Sequence, residues 1–228
     1  MTYESSASAF RHLLEARRSI RSFLPTRVPD SMIASVLQDA QCAPSNCNTQ
    51  PWHVHVVSGS SRDRLSQALL AAEAAGRMSL DFSFSANDVH GIYGERLREQ
   101  GAAYYQALGI SREALAERRA ASLRNLEFFG APHAAFLFMP VFGDAVRVAG
   151  DIGMYGQTFL LSLAAHGLGG VPQTVLGMYA DTIREELGVD PSLKLLFGIS
   201  FGYPDATSAA AAYRIEKVPF EDSVVFHN

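Results

Sequence analysis

Two short runs limit the fold more than any other feature of the chain. AAFLFM (134–139) and LLFGISF (195–201) are apolar without alternation. A strand with one wet face alternates apolar and polar residues, so a run that does not alternate is covered on both faces. Both runs are too short for an ordinary helix and are read as buried strands. A sheet built on them needs a layer of helices to cover it.

The stretches between supply those helices. Phe10, Leu13 and Leu14 recur at helical spacing and predict a helix over 8–17. Val28-Pro29-Asp30 opens a second, with Ile33, Val36, Leu37 and Ala40 on one face and an acid in the first turn. Further helices are expected over 62–76, 115–129, 151–166 and 181–187, the last being short, and Gly130-Ala131-Pro132 stops the one over 115–129. His53 to Val57 alternates as a third strand. Residues 167–172 and 202–205 read as turns. Residues 77–112 keep no stable period and read as an excursion with some helix inside it. There is no internal repeat. The expectation is one α+β domain over 1–228, a small sheet covered by helices. From Ser208 onward no core pattern appears until Val224-Val225-Phe226, so the tail needs something to lie on, another subunit being one candidate.

Composition closes off several function classes. A hydrophobic content of 48% is enough for a core without staples. The net charge of −4 comes with no basic block, which argues against nucleic acid as a partner. The two cysteines, Cys42 and Cys47, make no CxxC or metal spacing and are read as reduced thiols of a cytoplasmic protein. No basic segment followed by an apolar run opens the chain. The most apolar helical stretch, 152–168, is interrupted by Gly153, Gly156, Ser162 and His166, so it is a core helix rather than a membrane span.

Four clusters carry candidate chemistry. Arg17-Arg18-Ser19-Ile20-Arg21 puts three forked guanidiniums and a hydroxyl at a helix end, a good anion site; the plain alternative is a solvated basic C-terminus. Ser45-Asn46-Cys47-Asn48-Thr49-Gln50, pinned by Pro44 and Pro51, offers short donors and acceptors suited to the edge of a planar heterocycle, or else is a capped turn. Gly169-Gly170-Val171-Pro172-Gln173-Thr174 allows close backbone approach, or else stops a helix. Arg214 and Lys217 add positive charge in the tail, or else lie on the surface. There is no GxGxxG after a strand, no GxxxxGK[ST], no HExxH and no GxSxG. The seven histidines form no ligand-like cluster, and no nucleophile stands with a base. No metal site and no catalytic side chain is therefore assigned, and any hard chemistry belongs to a bound cofactor.

RRSIRSF, then APSNCNTQPW, then GDIGMYGQTFLLSLAAHGLGGVPQT, then a basic tail ending before VP together resemble the nitroreductase family of flavoproteins. The match in order and spacing spans most of the chain, and is nearest to the branch that includes nitrobenzoate reductases. The resemblance implies an α/β/α sandwich with a small central sheet and an obligate homodimer, its C-terminal tail (208–228) swapped onto the partner. It implies FMN held at the dimer interface, with NADPH or NADH as reductant. Arg17, Arg18, Ser19 and Arg21 would bind the phosphate, ribityl and pyrimidine parts from one subunit. Pro44, Ser45, Asn46 and Asn48 would reach the same FMN from the other, with Gln50 supporting the loop. Pro172, Gln173 and Thr174 would lie near the isoalloxazine, and Arg214 and Lys217 would return to the phosphate. Residues 77–125 would form the wall and lid of a substrate channel in which Phe82, Phe84, Tyr93, Tyr104 and Tyr105 stack on a small aromatic acceptor. The implied reaction is ping-pong hydride transfer to nitroaromatics, quinones or enones. Other flavin chemistry on the same fold, or a flavin carrier without turnover, are the rivals. The family tail pattern has Asn and a second Arg where this chain has Ala211 and Lys217, and Asn46-Cys47 replaces two small polar residues.

Overall fold

The structure is a computed structural model in which residues 3–227 are described. Strands β1 (His53–Ser58), β2 (His133–Met139), β3 (Gly169–Gln173) and β4 (Lys194–Gly202) form one antiparallel sheet in the order β1-β2-β4-β3. The two apolar runs are its central strands, and every residue of β2 is buried. Alternate β2 side chains face opposite layers. Phe136 and Phe138 join a cluster with Leu65 and Leu69 of one helix, Gly59–Ala74, and Ile183 of another, Ala180–Leu187. Ala135, Leu137 and Met139 join a second cluster with Val36 of the helix Asp30–Ala40 and Ile152, Tyr155 and Phe159 of the helix Val146–Ala165. The result is an α/β/α sandwich of the expected class.

In chain order the helices are α1 (Tyr3–Ala16), α2 (Asp30–Ala40), α3 (Gly59–Ala74), α4 (Gly91–Ala107), α5 (Leu115–Leu123), α6 (Val146–Ala165) and α7 (Ala180–Leu187). The helix of the 77–112 excursion is α4. The excursion is tied down at its start: the Asp81 carboxylate, nearly buried, pairs with Arg184 and Lys194 and accepts the Leu195 N–H at 2.8 Å.

Two sequence expectations need correction. Residues 167–172 read as a turn in the sequence, but from Gly169 to Gln173 the chain forms the edge strand β3, with Gly170 opposite Phe201. Its glycines serve close packing rather than reversal. A Cβ on Gly169 would lie 2.5 Å from Ile20 Cγ1, and one on Gly170 would lie 2.8 Å from Leu163 Cδ1. The residue that ends α6 is Gly167, at φ +71°. The helix expected over 115–129 ends at Leu123. Phe128 and Phe129 take φ of 56° and 54° and drop fully into the core. The Ser66 hydroxyl secures that turn by donating to the Leu126 carbonyl at 2.9 Å, so tertiary packing overrides helical periodicity there.

His133 opens β2 with no exposed surface, stacked on Phe201. Its Nε2 accepts the Val28 N–H at 3.0 Å, which requires the neutral ring. Burial holds its pKa below the ordinary 6.5, Arg27 adds to that effect, and Asp30 opposes it. Above pH about 6.5 neither the folded nor the unfolded chain holds this proton. Below it the unfolded chain takes the proton first, so stability falls as pH drops toward the lower folded pKa. His133→Gln keeps an acceptor and does not titrate. Urea unfolding between about pH 7 and about pH 5 should show a smaller loss of stability in that variant, and an equal loss in both proteins would contradict the assignment.

Candidate active site

The site is organised on the open edge of β3. The segment after α1 runs along that edge, with Ser19 bridged in parallel to Gly170 and the Ile20 N–H donating to the Gly170 carbonyl at 3.1 Å. Ser19 thereby extends the sheet edge by a single bridge, and the polar side chains of RRSIR meet the tail. Arg17, Arg18, Ser19, Arg21, Arg214 and Lys217 line one cleft of about 360 Å³, with Glu15 the acid among its walls. Arg18 Nη1 donates to the Ala211 carbonyl at 3.0 Å, which holds the tail over the arginines. Among the described residues none of these five cations forms an ion pair.

Arg21 is the most constrained of them. Its guanidinium carbon lies 5.0 Å from the centre of the Tyr104 ring and 5.5 Å from that of Tyr213. Burial lowers its pKa and the two tyrosines oppose that shift, yet a guanidinium starts so high that it stays charged near neutrality. Its Nη1 is buried without a hydrogen-bond partner. A buried, charged and unpaired donor is costly unless an acceptor completes it. Burial raises the pKa of Tyr104, keeping its hydroxyl protonated.

The amide loop is a separate, rigid feature. Cys47, Asn48 and Gln50 all have left-handed φ, at 51°, 57° and 47°. Such conformations cost non-glycine residues about 1–2 kcal/mol each and persist only when neighbours impose them. The neighbours are visible. The buried Asp151 of α6 accepts the Asn46 N–H at 3.0 Å, Ser45 Oγ accepts the Gln50 N–H at 3.0 Å, and the Gln50 amide donates to the Asn48 carbonyl at 3.2 Å. Trp52 anchors the exit, stacking near Tyr155 and donating to Gln41 Oε1 at 2.9 Å. Asn46 and Asn48 are exposed. Pro44, Ser45 and Asn46 line a different cavity, with Asp151, Arg147 and Met154, and it shares no lining residue with the arginine cleft.

Gln173 is buried and its side chain is consumed internally. Its amide donates to the Asn125 carbonyl and Oδ1 at 2.9 and 3.2 Å, and its oxygen accepts from the Ser200 hydroxyl. What the segment can offer a ligand is main chain together with the exposed Pro172 and Thr174. The five candidate channel aromatics do not form one wall within the chain. Tyr104 faces Arg21, Tyr105 faces Arg118 at 3.8 Å, Phe82 packs on the second core cluster, and Phe84 and Tyr93 are exposed. Sequence reasoning missed Gln100 and Tyr213. The Gln100 amide donates to the Tyr213 hydroxyl at 3.0 Å, and both line the arginine cleft. The adjacency of Tyr213 to Arg214 was the available signal. Among the described residues no group of three or more side chains is placed to hold a metal ion.

The nitroreductase family model matches residues 14–203. The chain is also 44% identical over 220 residues to nitroreductase NfnB of Mycolicibacterium smegmatis, covering 96% of this chain and 93% of that protein. The chain belongs to the nitroreductase family. A second relative, the 4-nitrobenzoate reductase of Pseudomonas putida, is 30% identical over 209 residues, 91% of each chain. Among solved structures, the FMN-dependent nitroreductase NfnB from Mycobacterium smegmatis in complex with NADPH superposes with a TM-score of 0.94 at 44% identity, over 97% of this chain and 99% of that one. This nitroreductase has no helix long and apolar enough to cross a membrane among its described residues.

Proposed function

We propose that the chain is an FMN-dependent NAD(P)H reductase of nitroaromatic or quinone-like acceptors, working as a homodimer. The observation that carries the reading is the unpaired Arg21 Nη1, buried beside a cleft that gathers Arg17, Arg18, Ser19, Arg214 and Lys217. FMN, when bound, would supply the redox chemistry of hydride uptake from a reduced nicotinamide and its delivery to an acceptor in a ping-pong cycle.

The residues present fit that group. Arg17, Arg18, Arg214 and Lys217 neutralise a phosphate, the last as a point charge without the guanidinium fork. Ser19, in the same cleft, would hold the ribityl chain. Arg21, held in place by Tyr104 and Tyr213, would donate to the pyrimidine edge and stabilise negative charge there. Pro172, Gln173 and Thr174 present main chain to the ring. Pro44, Ser45, Asn46 and Asn48 of a second copy complete the site, which accords with two clefts that share no residue in one chain. The dimer also covers apolar surface that one chain leaves bare. Helix α1 buries no residue, and Ile215, Val218, Phe220, Val224, Val225 and Phe226 of the tail are all exposed.

The purified protein is expected to be yellow, with FMN equimolar to chain, and to run as a dimer in sedimentation. A colourless protein that takes up no added FMN would remove the reading.

A further inference from the structure

The amide loop is held to the body of the chain at one polar point. Bonds inside the loop set its shape: the Asn48 N–H donates to the Ser45 carbonyl and the Thr49 N–H to the Asn46 carbonyl, both at 3.1 Å, beside the bonds made by the Ser45 hydroxyl and the Gln50 amide. None of these fixes where the loop sits on the fold. Among the described residues, the one hydrogen bond from 44–50 to another element is the Asn46 N–H to Asp151 Oδ1 at 3.0 Å, between residues 105 positions apart.

Asp151 is an expensive residue in its place. It is 3% exposed, beside Ile152 and one turn before Tyr155, which both pack in the second core cluster and fix α6 on the sheet. Among the described residues it forms no ion pair, although Arg147, one turn earlier, lines the same cavity. A buried carboxylate is costly without a charged partner. What it offers is a strong, one-directional hold: a hydrogen bond to an ionised acceptor is about twice as strong as a neutral one, and a carboxylate brings no donor of its own to clash with the N–H. The segment it holds carries three left-handed residues, Cys47, Asn48 and Gln50, and backbone outliers of this kind collect at functional sites. A buried acid and a strained loop therefore meet at a single bond, and fixing the Asn46 main chain fixes the origin from which Asn46 and Asn48 point outward.

The loop lines a cavity that shares no residue with the arginine cleft of the same chain. Its ligand therefore lies in another copy. We propose that Asp151 is a positioning residue acting across the dimer: from one subunit it holds the amide loop against the FMN seated in the arginine cleft of the other. The proposal rests on the FMN-binding dimer argued above.

The test uses Asp151→Ala and Asp151→Asn, and a mixed dimer with Asp151→Ala in one chain and Arg21→Ala in the other, isolated through two different affinity tags. FMN affinity is measured by fluorescence titration, and backbone hydrogen exchange over 44–50 by mass spectrometry without FMN. Asp151→Ala should bind FMN about tenfold more weakly and exchange faster over 44–50. Asp151→Asn, which keeps an acceptor, should restore part of both. In the mixed dimer one site joins the intact Arg21 of one chain to the intact loop of the other, while the second site carries both defects. Half of its sites should therefore regain the affinity of the unaltered protein. A mixed dimer weak at both sites would overturn the proposal, because Asp151 would then act on its own chain's cleft or on folding. Exchange over 44–50 unchanged in Asp151→Ala would overturn the hold itself, with or without FMN. Circular dichroism reports folding, and Asp151→Asn replaces Asp151→Ala in the mixed dimer if the latter does not fold. An unaltered protein that takes up no FMN, or binds it as a monomer, overturns the cross-dimer role together with the reading beneath it, a failure visible before any substitution is made.

Discussion

Arg21→Ala is expected to lose FMN on purification and to turn over slowly even with excess FMN added. A charge-assisted hydrogen bond in a buried site contributes about 1.5–3 kcal/mol, which is roughly a ten- to hundredfold loss of affinity. The turnover defect has a separate cause, because a guanidinium at the pyrimidine edge stabilises the negative charge that reduced flavin acquires. The variant also removes the cation between Tyr104 and Tyr213, so the tail contact through Gln100 should loosen. Arg21→Lys separates the effects. It keeps a charge but neither the planar stack nor the fork, and should fall between the two proteins in FMN affinity. Fluorescence titration with FMN measures both. Unchanged flavin content and rate in Arg21→Ala would remove Arg21 from the site.

Deletion of residues 208–228 should have the second large effect, and it should fall on the dimer and the cofactor rather than on the sandwich. The tail adds no side chain to either core cluster, and most of its apolar residues are exposed within one chain. The truncated chain should therefore keep its helical circular dichroism. It loses Tyr213, Arg214 and Lys217 from the arginine cleft, together with the Arg18 contact at Ala211. Loss of two phosphate cations alone predicts an FMN affinity lower by about a hundredfold. On the proposed dimer reading, loss of the exposed apolar residues Ile215, Val218, Phe220, Val224, Val225 and Phe226 predicts a monomer in sedimentation. A truncated protein that stays dimeric and yellow would show that the tail neither wraps a partner nor closes the site.

The parts of this protein that were legible in its sequence are those whose signal is local. The unalternating runs at 134–139 and 195–201 announce central strands because a strand with a wet face cannot look like that. RRSIRSF was singled out by its density of guanidiniums, and the structure gathers those cations with the tail in one cleft, whereas the amide loop, singled out by its short polar groups, lines a separate cavity. What was illegible depends on distant contacts. Gly169 and Gly170 look like a turn until Ile20 and Leu163 are seen pressing on them. Phe128 and Phe129 extend a helical pattern, but the core beneath β2 claims both rings. The Gln173 side chain is taken by Asn125 and Ser200, which leaves the main chain of that segment as its possible contribution to a ligand. The pairing of Gln100 with Tyr213 joins residues 113 positions apart, which no local pattern encodes.

The most direct test of the account follows the visible spectrum of the purified protein without oxygen. NADPH is added first, and a nitroaromatic once the spectrum is steady. The account predicts a flavin spectrum that bleaches quickly with the nucleotide and returns when the acceptor arrives. Bound flavin that NADPH and NADH leave oxidised would contradict it and make the protein a flavin carrier.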